Sequence, residues 1–271
     1  YLARRMHRHP SQNLIALSLN LCGAGVWTIS GGLRHFIKEA SDLCWSHDPD
    51  QLLSLELRKH GRCQHGKGVG HALRRIDAKS LRLMQEMEVC VPLGDVNYLV
   101  LNHQGDRCLA TWLGHGAEWG YVLVDLMNMK QLPGGLFYPY PTMSAPAYSE
   151  DDRYVVSCNP SHHGWWTYDN EEYWETPSPG GSFEVGIITV HDVAADVITN
   201  HSVQVDLPEG WIPDRPETAE WNQLWGPEFV SEKEFRFWLP DDSLEIVTLP
   251  LPATIEIHRS IGSRRQWLEE G

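Results

Sequence analysis

Two segments of this chain concentrate side chains that could do chemistry. The first is Gly61-Arg62-Cys63-Gln64-His65-Gly66-Lys67-Gly68. Its glycine and lysine spacing is that of a loop that wraps phosphate oxygens with backbone amides. Such a loop also needs a hydroxyl beside the lysine for Mg²⁺ and a helix whose N-terminus faces the anion. Gly68 stands where the hydroxyl belongs, and Val69 to Ile76 reads as a strand. A basic hairpin loop is therefore expected rather than a nucleotide site. The same stretch holds His60, Cys63, His65 and His71, whose imidazole and thiol groups are those zinc prefers. Their spacing matches no standard structural zinc pattern, and 14 histidines in the chain make local groupings easy to obtain. The expectation is no cofactor and no metal, with these four residues as the metal alternative.

The second segment runs from Asn159 to Glu175. Trp165, Trp166, Tyr168, Tyr173 and Trp174 stand there beside Asp169, Glu171, Glu172 and Glu175. Trp211, Trp221 and Trp225 follow in another long connection, Pro208 to Pro227. Trp and Tyr bring large contact area with few rotors to freeze, which suits recognition of a protein. The carboxylates favour a partner with a basic surface. The same aromatics could stack on sugar rings. Glycoside hydrolysis would need two carboxyl groups flanking the bond, and pairs such as Asp169 with Glu172, or Glu175 with Asp214, are not privileged among 36 acidic residues. The structural alternative is a lid folded onto its own domain. Nucleophilic catalysis finds no support: there is no Gly-x-Ser-x-Gly elbow, and His162-His163 beside Cys158 and Ser161 is too local for a triad assembled in space.

What must position these segments is a β scaffold. Leu43-Cys44-Trp45-Ser46-His47-Asp48-Pro49-Asp50-Gln51-Leu52-Leu53-Ser54-Leu55 reads as strand, polar turn, strand. Looser copies begin at Tyr98 and Ala147. Repetition at about 50-residue spacing means stacked sheets, most simply a β-propeller. Four strands per unit are expected, including Leu81 to Val89, which a helix could also claim. Asn13 to Leu19, Gly25 to Ser30 and Leu33 to Lys38 leave the first unit one strand short. Ala253 to His258 is expected to complete it, so that the N- and C-terminal segments close one blade and remove a sheet edge. This gives five blades; a sixth hidden near Trp211 to Trp225, or a pair of β-sandwiches, are the alternatives. The expected organisation is a basic arm over 1–12 carrying Arg4, Arg5 and Arg8, one propeller domain over 13–259, and a tail over 260–271. Long inserts fall at 58–70, 159–182 and 208–227.

The pattern resembles the WD-repeat-like β-propellers. Trp45-Ser46-His47-Asp48-Pro49-Asp50 is similar to the turn between the first two strands of such a blade. Ile76-Asp77, Val124-Asp125 and His191-Asp192 stand where that family often has Trp-Asp, although none of the three is Trp-Asp. The resemblance implies a rigid rim that presents variable loops.

Composition narrows the partners. The formal net charge is -14, which disfavours nucleic acid because the phosphate backbone would be repelled. No stretch of 18 apolar residues exists to span a membrane as a helix. No leader is visible in a chain that begins at Tyr1. Cys44, Cys90, Cys108 and Cys158 lie in or beside apolar runs, which suits buried free thiols and a cytoplasmic setting. The reading is a non-catalytic scaffold that binds a protein through its aromatic loops. A carbohydrate-binding or glycoside-processing propeller is the alternative, and a metal-dependent hydrolase a weaker one.

Overall fold

The computed structural model describes residues 3–19, 23–56, 63, 68–91, 94–113, 119–138, 145–159, 182–206, 224–239 and 243–260. Every regular element among them is a strand. No helix there is long and apolar enough to cross a membrane. The chain divides into two compact units, 1–139 and 140–271.

The first unit contains three four-stranded antiparallel sheets, each a meander in chain order. The first sheet is β1 (Ala3–Arg8), β2 (Leu14–Leu19), β3 (Gly23–Thr28) and β4 (Leu33–Ile37). The second is β5 (Ala40–Trp45), β6 (Gln51–Glu56), β7 (Val69–Asp77) and β8 (Leu83–Val91). The third is β9 (Asp95–Leu101), β10 (Arg107–Leu113), β11 (Trp119–Asp125) and β12 (Lys130–Tyr138). Alternation along the strands sends one face of each sheet to its neighbour. Ala16, Val26, Leu43 and Leu52 form a core joining the first two sheets, and Leu53, Leu73, Leu99 and Trp112 a core joining the second and third.

The second unit holds two sheets. β13 (Ala147–Tyr148), β14 (Tyr154–Asn159), β15 (Ser182–Asp192) and β16 (Val197–Asp206) are antiparallel neighbours, and β20 (Thr254–Ser260) adds to β16 in parallel. β17 (Trp225–Phe229), β18 (Glu234–Trp238) and β19 (Leu244–Thr248) make a three-stranded meander. Val156, Ile188, Val203, Phe235 and Phe237 pack as the core of this unit.

Two expectations about the ends are corrected. The first sheet is completed by β1, not by the C-terminal strand: Met6 faces Leu17 and His7 faces Ala16. The arm expected over 1–12 therefore carries a strand. It was hidden because its inward residues are Arg5 and His7, so hydrophobic alternation does not mark it. The apolar alternation of Ala253 to His258 is satisfied elsewhere, since Ile255 and Ile257 join the core of Val203 and Val205. The first and last strands thus lie in different sheets, and the closure of one blade by the two termini is not observed.

The repeated turn is real. Ser46 N donates to Gln51 O at 2.9 Å, Asn102 N to Arg107 O at 3.1 Å and Ser149 N to Tyr154 O at 2.9 Å. Each therefore closes the same turn between a first and a second strand. The turn from third to fourth strand also recurs. Asp77 accepts from the Ser80 amide and hydroxyl, Asp125 from the Asn128 amide and side chain, and Asp192 from the Ala195 amide. The following amides tie back to the neighbouring turn: Ala78 N to Asp50 O, Leu126 N to Asp106 O and Val193 N to Arg153 O, at 2.8–2.9 Å. Four residues after each aspartate the backbone is left-handed, at Leu81 (φ 58°), Met129 (φ 46°) and Asp196 (φ 53°). Aspartate at the position where the WD family often has it is thus a turn device, accepting amides the strand ladder leaves over.

Candidate functional site

The aromatic inserts spring from the second unit. Trp165, Trp166, Tyr168, Tyr173, Trp174, Trp211 and Trp221 lie outside the described residues. Trp225 opens β17 opposite Trp238. What the structure describes is where the inserts begin and end. One leaves the end of β14 at Asn159 and returns at the start of β15. The other leaves the end of β16, whose Asp206 faces Ser182 of β15. Because these strands are antiparallel, all three ends lie at the same end of one sheet.

Gly186 marks the place where the insert roots meet. It sits at a bulge in the β15–β16 ladder, where register shifts after Glu184. A Cβ built on it would lie 2.7 Å from the Asn159 carbonyl oxygen and 2.6 Å from Leu224 Cγ. Asn159 stands at the start of the first insert, and Leu224, 1% exposed, near the end of the second. Only glycine lets both approach the β15 backbone this closely. Asn159 is also held from within, its Nδ2 donating to Thr189 Oγ1 at 3.0 Å, while Thr189 donates to Asn200 Oδ1 at 2.8 Å.

The glycine-rich segment has a different outcome. Of the zinc alternative, His60 and His65 lie outside the described residues. His71 is buried on β7, with Nε2 3.0 Å from the Gly94 carbonyl oxygen. Cys63 does not go to His71; it joins Cys90 of β8 as a disulfide. The expectation that Cys90 is a free thiol is corrected, because the β6–β7 connection brings Cys63 back onto β8. Glu88 lies beside both sulfurs, its Oε2 3.6 Å from Cys63 Sγ and 3.7 Å from Cys90 Sγ. The Cys63 amide donates to the Gly68 carbonyl at 3.1 Å, and strand β7, not a helix, follows. Cys44, Cys108 and Cys158 are free and buried, as expected. Burial raises all three thiols, Cys108 to about 12, so none is a nucleophile.

Sequence reasoning missed a third constellation. Asp42 on β5 is wholly buried and accepts from Ser18 Oγ, from its neighbour Leu43 N and from Leu99 N. Arg5 completes the set at 2.8 Å and also donates to the Leu99 carbonyl oxygen. The Arg5 guanidinium lies 5.8 Å from the centre of the Tyr98 ring. First strands of three sheets are thereby tied by one charged network. The available signal was the charged Asp42 within the strand run Ala40–Trp45.

Consecutive four-stranded antiparallel meanders, three of which repeat the same two turns, define a propeller-like all-β architecture. No family model matches the chain, and no curated protein sequence matches it. Among solved structures it is similar to Kuenenia stuttgartiensis hydrazine synthase, at 12% identity and a TM-score of 0.58, over 90% of this chain and 64% of that one. It is also similar to U3-55K, at 11% identity and a TM-score of 0.50, over 92% of this chain and 65% of that one. The β-propeller domain of Myceliophteria thermophila Cps50 (Swd1) aligns at 12% identity and a TM-score of 0.49, over 89% and 68%, a score that adds nothing to the fold argument. The chain spans less than two thirds of hydrazine synthase and of U3-55K. At identities of 11–12% the likeness to hydrazine synthase and U3-55K bears on fold alone, and at that level the chain stands as propeller-like.

Proposed function

We propose that this chain is a protein-interaction scaffold, in which propeller-like sheets hold the aromatic and acidic inserts 159–182 and 208–227 for a partner with a basic surface. The observation that carries the reading is the meeting of the two insert roots. Asn159 and Leu224 both close on Gly186, so two tryptophan-rich segments leave from one spot on a rigid sheet. Aromatic anchors presented together from a fixed base lose little entropy on binding. Glu171, Glu172 and Glu175 add the charge that steers a basic surface. The three buried thiols suit a cytoplasmic setting, in which the Cys63–Cys90 bond would be reduced.

The test is partner capture by the wild-type chain and by Trp165→Ala/Trp166→Ala, with melting temperature measured on both. A partner retained by the wild type, released as salt rises and lost in the double variant at unchanged melting temperature is the expected result. A melting temperature lowered by more than about 5 °C would mean that the indoles pack on their own fold. Specific binding on a glycan array, without a protein partner, would replace the scaffold by a sugar-binding propeller.

A further inference from the structure

Cys63 and Cys90 are 27 residues apart in sequence, yet their Cα atoms are 5.7 Å apart. Cys63 is buried on the β6–β7 connection, while Glu88 and Cys90, two apart on β8, share one face of the strand and are half-buried. Gly70, opposite Cys90 in the β7–β8 ladder, leaves the room this carboxylate occupies, because a Cβ there would collide with Glu88 Oε1. A sulfur, a sulfur and a carboxylate oxygen therefore converge on one point, reached from two separate stretches of chain.

A disulfide does not require that carboxylate: it has no proton to donate and no charge to pair. A metal ion does. A tetrahedral zinc, with bonds of roughly 2.3 Å to sulfur and 2.1 Å to oxygen, sets its sulfur and oxygen ligands about 3.6 Å apart. The two observed sulfur–oxygen distances are 3.6 and 3.7 Å. Only the sulfur–sulfur separation must open, which breaking the disulfide allows.

We propose that the reduced chain binds one Zn²⁺ through Cys63, Cys90 and Glu88, clipping the glycine-rich connection to β8. A phosphine reductant supplies two electrons to the Cys63–Cys90 bond and is oxidised to the phosphine oxide with oxygen from water; the sulfurs take two protons. Zn²⁺ then binds both as thiolates, and the two protons pass to the buffer. Three protein ligands leave one position for water or a further donor. The site goes beyond the scaffold reading and does not depend on it.

The experiment uses the whole chain, reduced with phosphine and freed of metal. Co²⁺ is added first as a spectroscopic probe, then Zn²⁺ in competition with a chromophoric chelator. The expected result is a thiolate-to-cobalt charge-transfer band, displaced by one Zn²⁺ per chain. Cys63→Ser or Cys90→Ser should abolish the band, and Glu88→Gln should weaken Zn²⁺ binding about 10- to 100-fold. Absence of the band in the reduced wild-type chain overturns the proposal without reference to any variant. Stoichiometric Zn²⁺ retained by both cysteine variants overturns it equally.

Discussion

Arg5 Nη1 lies 2.8 Å from Asp42 Oδ2, and this pair joins β1 to β5 while both partners reach the β9 backbone at Leu99. Asp42 is completely buried, and the Arg5 side chain is only 21% exposed. A charge held that far from water needs every partner it has. Removing Arg5 would leave the carboxylate with neutral donors alone. Arg5→Ala and Asp42→Ala should each lower unfolding free energy by about 3 kcal/mol or more. Arg8→Ala, at an exposed position of the same strand, should change it by less than about 0.5 kcal/mol. Urea unfolding of the three variants checks this.

His7 gives the fold an acid sensitivity. Burial is the main cause that lowers its pKa to about 4, and the neighbouring Arg5 adds to it. Its Nε2 is buried without a hydrogen-bond partner among the described residues. The unfolded chain therefore takes up a proton near pH 6.5 that the folded chain refuses until about pH 4. Stability should fall as pH drops through that window. His191, lowered chiefly by burial, acts in the same direction. A melting temperature that is flat from pH 7 to pH 4.5 would contradict this, and His7→Gln should flatten the slope.

The turn aspartates act in a lower window. The Ser80 hydroxyl holds the Asp77 pKa below the usual carboxylate range, the Asn128 side chain does so for Asp125, and Arg153 for Asp192. Their contribution is present above pH 4 or so and is lost as pH falls through the depressed values. Replacing all three by asparagine should weaken the fold at pH 7 and make acid unfolding less steep below pH 4, measured by circular dichroism.

Leu81 occupies a left-handed conformation (φ 58°) that costs a branched side chain energy which glycine avoids. Leu81→Gly should therefore raise unfolding free energy by up to about 1 kcal/mol. Asp196→Gly should give less, because aspartate tolerates this region. Denaturant midpoints at constant slope would report the difference.

Gly186→Ala would push a methyl into the Asn159 carbonyl and Leu224. The expected cost is about 1–3 kcal/mol, together with weaker partner capture, since both insert roots must move. Capture unchanged at a clearly lowered melting temperature would separate the root from the binding surface.

Much of the scaffold is legible in the residues. Gln51 to Leu57 and Arg107 to Trp112 read as strands because branched and aromatic residues are bounded by Asp, Asn and Gly, and the structure has β6 and β10 there. Leu81 to Glu88 satisfied helix and strand periodicities alike, and pairing with β7 decided for strand. β1 was not legible. Its inward Arg5 and His7 look like a solvated arm until Asp42, 37 residues later, supplies the opposite charge. The C-terminal strand was legible as a strand but not by partner, because Ile255 and Ile257 would satisfy any apolar face.

Local sequence determined the strands other than β1, both recurrent turns and the segments in excess of the scaffold, since turn chemistry and side-chain alternation act over a few residues. Tertiary structure alone decided that β20 lies beside β16, that Cys63 meets Cys90 and Glu88, and that Asn159 and Leu224 close on Gly186. Each of these joins residues far apart in the chain. Such contacts depend on register and on which face each strand turns inward, and no local pattern carries that information.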